Sequence, residues 1–218
     1  MLEKMKPNSN KPLPTGLVLL LFFLSGALAL VYQVVWARIM THVFGSTALA
    51  AGTVIAAFMA GMAVGAWYFG RLADRHGNCL KLYGLVEIGI ALAALLAHLA
   101  LNALDTAYPF FYGLAGGSGL LLGLIRFLLA FILVMAPTVL MGATLPILTR
   151  LLAGGRRRAG VELSSLYAAN TFGAVAGVLL TGFYLIGTFG VHVPVYLAVL
   201  GNFLVGLAAL ALARRLRP

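Results

Sequence analysis

Apolar residues run through this chain in long blocks, with no regular alternation with polar ones. The blocks span Gly16–Trp36, Thr47–Gly70, Leu82–Leu101, the long run Leu120–Leu148, Leu163–Ile186 and Val193–Ala213. A helix needs about 20 mostly apolar residues to cross a hydrocarbon core about 30 Å thick. Strands of a membrane barrel would be shorter and would alternate apolar with polar residues. The pattern predicts an all-α integral membrane protein, a six-transmembrane-helix bundle over 16–213. Short tails, 1–15 and 214–218, flank it.

The fourth block is too long for one perpendicular span. From Leu120 to Leu152 a single helix would be about 50 Å at 1.5 Å per residue. Counting back from Arg150 puts its far boundary near Leu129, with Arg126 at the interface, where it can snorkel. Pro137 then falls near mid-membrane and Pro146 nearer the end. Each proline removes a backbone donor, so a kink or a freed carbonyl is expected. Thr138 and Thr144 are candidates to satisfy such carbonyls. Broken helices at the midplane are where transporters build sites, and proline kinks also serve plain packing.

Composition agrees with the blocks: 62% of the 218 residues are hydrophobic and 9% charged, which excludes an ordinary soluble domain. The formal net charge of +10 would by itself suggest a nucleic-acid surface. Placement argues otherwise. Lys4, Lys6, Lys11, Arg71, Arg75, Lys81, Arg150, Arg156, Arg157, Arg158, Arg214, Arg215 and Arg217 all fall on one side of the predicted bundle, 13 of the 15 basic residues. Arg38 and Arg126 fall on the other. Positive-inside then predicts both termini in the cytoplasm. Charges spread over four short segments suit anionic lipid headgroups and not nucleic acid. The first block is too long for a signal-peptide core and no small-x-small cleavage pattern follows it, so an uncleaved first helix is expected. Tyr32 and Trp36 read as its interfacial aromatic anchors.

Few polar groups fall inside the spans. Glu87 is an acidic residue well within one, about 9 Å past Lys81. An intramembrane carboxylate is a functional candidate because stranding it in lipid is costly. It reads either as a proton- or cation-binding group or as a hydrogen-bonded structural carboxyl. Asn170, followed by Thr171, comes out at similar depth and is its expected neighbour. Asn202 reads as interhelical glue near the middle of the sixth span. With Pro137 and Thr138 these are the candidate solute- or proton-binding residues. Gly61 and Gly65, and Gly173 and Gly177, recur at four-residue spacing, which lets helix backbones approach closely. They are expected to pack within the chain.

Other chemistry is thin. Cys79 is the single cysteine, which excludes an intrachain disulfide. His42, His98 and His192 fall toward the less basic side, but no His, Cys and carboxylate spacing suggests a metal site. Ser164 and Ser165 fit a helix N-terminus better than a nucleophile. No phosphate loop or dinucleotide fingerprint occurs, so no cofactor is expected. The segment between the third and fourth spans carries an aromatic run, Tyr108-Pro109-Phe110-Phe111-Tyr112, then the flexible Gly116-Gly117-Ser118-Gly119. It reads as interfacial, with a binding lid as the alternative. A weak echo links Ala50-Ala51-Gly52-Thr53 to Ala168-Ala169-Asn170-Thr171. The two segments lie in oppositely directed spans, as an inverted three-plus-three repeat would require.

Two stretches carry family resemblance. Gly70-Arg71-Leu72-Ala73-Asp74-Arg75-His76-Gly77 resembles the signature loop of the major facilitator superfamily, with Gly70, Asp74, Arg75 and Gly77 its key positions. Six spans would supply one half of such a transporter. A broader match runs through Phe23-Leu24-Ser25-Gly26, Tyr32-Gln33-Val34-Val35-Trp36-Ala37-Arg38, Phe44-Gly45-Ser46 and Ala57-Phe58-Met59-Ala60-Gly61. It continues through Pro137-Thr138-Val139-Leu140-Met141-Gly142-Ala143-Thr144-Leu145-Pro146 and Leu166-Tyr167-Ala168-Ala169-Asn170-Thr171-Phe172-Gly173-Ala174. In order, these resemble the membrane domain of the bacterial spermidine-synthase-like membrane proteins, the fused facilitator/spermidine synthases. The family often has Glu where Gln33 stands. Its full-length members continue into a soluble aminopropyltransferase domain, of which these 218 residues contain none. The resemblance implies a multi-pass bacterial inner-membrane module associated with polyamine-type chemistry, without aminopropyltransferase activity of its own. Two functions follow as expectations. One is movement of a small solute such as a polyamine, as a homo-oligomer or with another membrane subunit. The other is an anchor or assembly subunit for a larger membrane complex or a separate soluble enzyme, such as an aminopropyltransferase.

Overall fold

The computed structural model describes residues 15–75, 77–116, 118–152 and 159–215. Lys4, Lys6, Lys11, His76, Arg156, Arg157, Arg158 and Arg217 lie outside them. Six of the helices are long and apolar enough to span a bilayer. They comprise α1 (Thr15–Phe44), α2 (Thr47–Arg75), α3 (Cys79–Thr106), α5 (Gly119–Leu152), a fifth span from α6 (Ala159–Leu180) into α7 (Ile186–Phe189), and α8 (Val193–Arg215). A short helix, α4 (Tyr108–Leu114), occupies the segment read as an aromatic loop. The chain is therefore a polytopic membrane protein, as the apolar blocks predict.

Tight turns join the spans. Gly45 between α1 and α2, and Gly190 between α7 and α8, adopt φ of 65° and 74°, the left-handed region where a side chain would be strained. One face of the bundle carries the start of α1, α3 and α6 and the end of α2, α5 and α8. We call it the basic face, after Arg71, Arg75, Lys81, Arg150, Arg214 and Arg215.

Helix pairing follows a simple exchange. α2 packs most extensively on α5, α1 on α6, and α3 on α8, with α3 also against α5 and α1 against α8. Exchanging α1, α2 and α3 with α5, α6 and α8 interchanges the first two pairings and the last two, and maps the α3–α8 pairing onto itself. α1 and α5 run in opposite directions, and these five pairings are those an inverted three-plus-three arrangement would have, although α1 packs on α2 more extensively than α5 does on α6. The close approaches obey the same exchange. A methyl on Gly65 would collide with the Val139 carbonyl, and one on Gly61 with the Thr138 side chain, both on α5. On the other half, methyls on Gly173 and Gly177 would collide with the α1 carbonyls of Phe23 and Ala27. Gly84 of α3 and Gly206 of α8 meet each other, each Cβ position lying 2.8 Å from the other's carbonyl oxygen. All of these close approaches lie within one chain.

Three expectations need correction. The span from Gly16 does not end at Trp36: α1 continues two turns further, to Phe44. Tyr32 and Trp36 are consequently not interfacial anchors but fully buried, stacked with ring centroids 5.3 Å apart. Trp36 also meets Phe58 of α2 at 6.0 Å. Second, α5 is one unbroken helix of 34 residues with Pro137 and Pro146 inside it. Those prolines remove the donors normally paired with the carbonyls of Leu133 and Gly142. Thr138 and Thr144 do not replace them. The Thr144 hydroxyl donates to the Met141 carbonyl at 2.6 Å. The Thr138 hydroxyl has the carbonyls of Met135, Val134 and, across the interface, Ala57 at 2.9, 3.1 and 3.3 Å. Third, Ser164 and Ser165 do not cap α6. They lie within it and donate back to the carbonyls of Gly160 and Val161, at 2.9 and 2.8 Å.

Candidate functional site

The polar centre of the bundle is built by three helices. Glu87 lies about 12 Å along α3 from Cys79, and Asn202 near the middle of α8. Both are buried. The close Gly84–Gly206 crossing brings these helices together one turn away from the pair. The Asn202 Nδ2 donates to Glu87 Oε2 at 2.5 Å. The Tyr32 hydroxyl of α1 donates to Asn202 Oδ1 at 2.9 Å, which fixes the amide's orientation. The hydroxyls of Ser25 and Tyr83 also face the carboxyl, short of good hydrogen-bond geometry. Tyr83 itself donates to the Leu21 carbonyl at 3.3 Å. Glu87 Oε1 is left buried without a hydrogen-bond partner. A buried carboxyl oxygen without a partner is costly, and a proton or a cationic ligand would remove that cost.

Asn170 is not the neighbour of Glu87. Its Nδ2 donates to the Phe22 carbonyl of α1 at 3.2 Å, and its side chain fills the space beside Gly26. Thr171, the next residue round α6, is exposed and faces away from the bundle. Pro137 and Thr138 are buried where α5 packs on α2, at Gly61. Of the candidate binding residues, only Glu87 and Asn202 come together.

Sequence reasoning missed Tyr32 as the third member. It also missed a polar cluster at the opposite face. There His98 Nε2 lies 3.3 Å from both His192 Nδ1 and the Asn102 amide, and Tyr196 stands edge-on to the His98 ring at 5.6 Å. A cavity of about 610 Å³ opens above it, lined by His42, Asn102, His192, Tyr196, Ile39 and Val191. His98 is buried beneath this cavity and is 11 residues beyond Glu87 on α3. Eleven residues are close to three turns, so both point from one helix face, about 16 Å apart. Ala91 and Ala94, both buried and small, lie between them on that face. A further feature without a sequence signal is the π-helical segment Thr181–Leu185, joining α6 to α7, whose buried Thr181 hydroxyl has no hydrogen-bond partner.

The facilitator-like loop residues lie at the basic face. Gly70, Asp74 and Arg75 belong to the last turns of α2, and Gly77 to the link into α3. Asp74 Oδ1 lies 3.6 Å from Arg150 Nε at the end of α5, with both side chains more than half exposed. Arg71 places its guanidinium 4.0 Å over the Trp67 ring. Among the described residues, no group of three His, Cys, Asp or Glu converges as a metal site.

No protein-family model, curated protein or solved structure matches the chain.

Proposed function

We propose that this protein moves, or helps to move, a small cation across the bacterial inner membrane, with both termini in the cytoplasm. The observation that carries this reading is Glu87, a buried carboxyl with one oxygen unpartnered and the other held by Asn202. Such a group is costly to keep in a bilayer unless it binds something. The cavity beside His192 supplies an entry on the opposite face, and the small side chains of Ala91 and Ala94 lie between it and Glu87. The inverted packing supports the same reading, since transporters often place a site at the interface of such repeats. The resemblance to the membrane domain of spermidine-synthase-like membrane proteins favours a polyamine-class amine as the cation. Uptake of radiolabelled putrescine and spermidine into proteoliposomes tests it. Accumulation above protein-free vesicles is expected, and none across a panel of organic and inorganic cations would overturn it.

A second reading rests on the complete burial of Glu87, Asn202 and Tyr32. In it the three residues are a structural lock, and the protein is a non-transporting anchor or assembly subunit. The exposed aromatic side chains of α6 and the π segment, Phe172 and Phe183 among them, would then meet another membrane subunit. Co-purification of one stoichiometric partner in mild detergent, together with no uptake of any cation, favours this reading.

A further inference from the structure

We infer that the groove between α3 and α8 on the basic face is a discrete binding site for one anionic phospholipid. Lys81 lies in the first turn of α3 and Arg214 at the end of α8, so the two cations flank one opening. Below them Leu85, Leu210 and Ala213 line a cavity of about 350 Å³. The order is that of a phospholipid: positive charge at the rim, then apolar wall toward the membrane interior. The groove exists because the two helices touch at Gly84 and Gly206 and leave room beyond that crossing, toward their basic ends. Leu85 is half exposed there, available to an acyl chain.

Charge complementarity selects the occupant. Lys81 and Arg214 are both solvent-exposed, and the groove's lining residues include no acidic side chain. A phosphodiester can meet both cations at once, whereas a zwitterionic headgroup brings its own cation to the same rim. A soluble phosphate offers the same charge without the chain, so the apolar wall is what distinguishes a lipid from a free anion. The site does not depend on Glu87 binding a solute.

Native mass spectrometry of the full chain in detergent tests the site, with dioleoyl phosphatidylglycerol and dioleoyl phosphatidylcholine as probes. The wild type should retain phosphatidylglycerol about tenfold better. The double variant Lys81→Gln/Arg214→Gln should retain the two lipids equally, with unchanged helical content by circular dichroism. Leu85→Trp keeps both cations but fills the groove, and should lower phosphatidylglycerol retention at least several-fold. Equal retention of both lipids by the wild type would overturn the proposal, as would undiminished preference in the double variant. Displacement of the lipid by millimolar inorganic phosphate, with Leu85→Trp without effect, would instead assign a site for free anions and overturn the lipid assignment.

Discussion

The Asn202 amide donates to Glu87 at 2.5 Å, joining two helices across 115 residues of sequence. Its other end accepts the Tyr32 hydroxyl at 2.9 Å, so one side chain ties α1, α3 and α8 together. Asn202→Ala breaks both bonds and uncovers the carboxyl. It should cost about 1–3 kcal/mol, read by denaturant unfolding in detergent. Tyr32→Phe removes one bond and should cost about 0.6 kcal/mol, the usual scale for hydrogen bonds between membrane helices. In the Asn202→Ala background Tyr32→Phe should cost less than in the wild type, because its acceptor is already gone. Equal costs in the two backgrounds would show that the Tyr32–Asn202 bond contributes nothing.

Glycine substitutions should divide by location. At Gly65 and Gly177 a methyl meets the backbone of a facing helix, which cannot move aside as a flexible side chain could. Gly65→Ala and Gly177→Ala should each destabilise by about 1–3 kcal/mol. Gly52 lies in α2 with nothing within 4 Å of a Cβ. Gly52→Ala should be neutral or stabilising by about 0.5–1 kcal/mol. Thermal unfolding of the three variants in one detergent compares them directly. Similar destabilisation in all three would contradict the helix pairing.

These pairs show what one sequence can disclose. The spans were legible because each is set by a run of apolar residues, and the spacing of Gly61 with Gly65 and of Gly173 with Gly177 marks close helix faces. The position of Glu87 along α3 followed from simple counting. Its partner did not, because Asn170 and Asn202 are alternatives that only the packing of α3 on α8 distinguishes. Tyr32 and Trp36 misled for a related reason: an aromatic residue late in an apolar run looks the same whether the helix ends there or continues to Phe44. The approach of His98 to His192 joins residues 94 apart and has no local signature.

The Asp74–Arg150 pair connects the facilitator-like loop to α5 but is largely exposed. Arg150→Ala should therefore change unfolding stability by about 0–1 kcal/mol. A larger loss that disappears at high salt would assign this pair a locking role.

The proposed orientation, with both termini in the cytoplasm, predicts that the His192 turn faces outward and Lys81 inward. In a Cys79→Ala background, a cysteine replacing His192 should react in intact cells with a membrane-impermeant maleimide. A cysteine replacing Lys81 should react only after the cells are opened. The opposite pattern would invert the topology and move the histidine-lined cavity to the cytoplasmic side.

The carboxyl of Glu87 carries the functional account, so the most direct measurement is polyamine uptake by Glu87→Gln. The substitution keeps an acceptor for the Asn202 amide and removes the ionisable group. Wild-type and Glu87→Gln proteins, reconstituted at equal density and equally folded, should differ sharply. The account predicts accumulation of labelled spermidine by the wild type, with at least a tenfold loss in the variant. Equal uptake by the two proteins would contradict it.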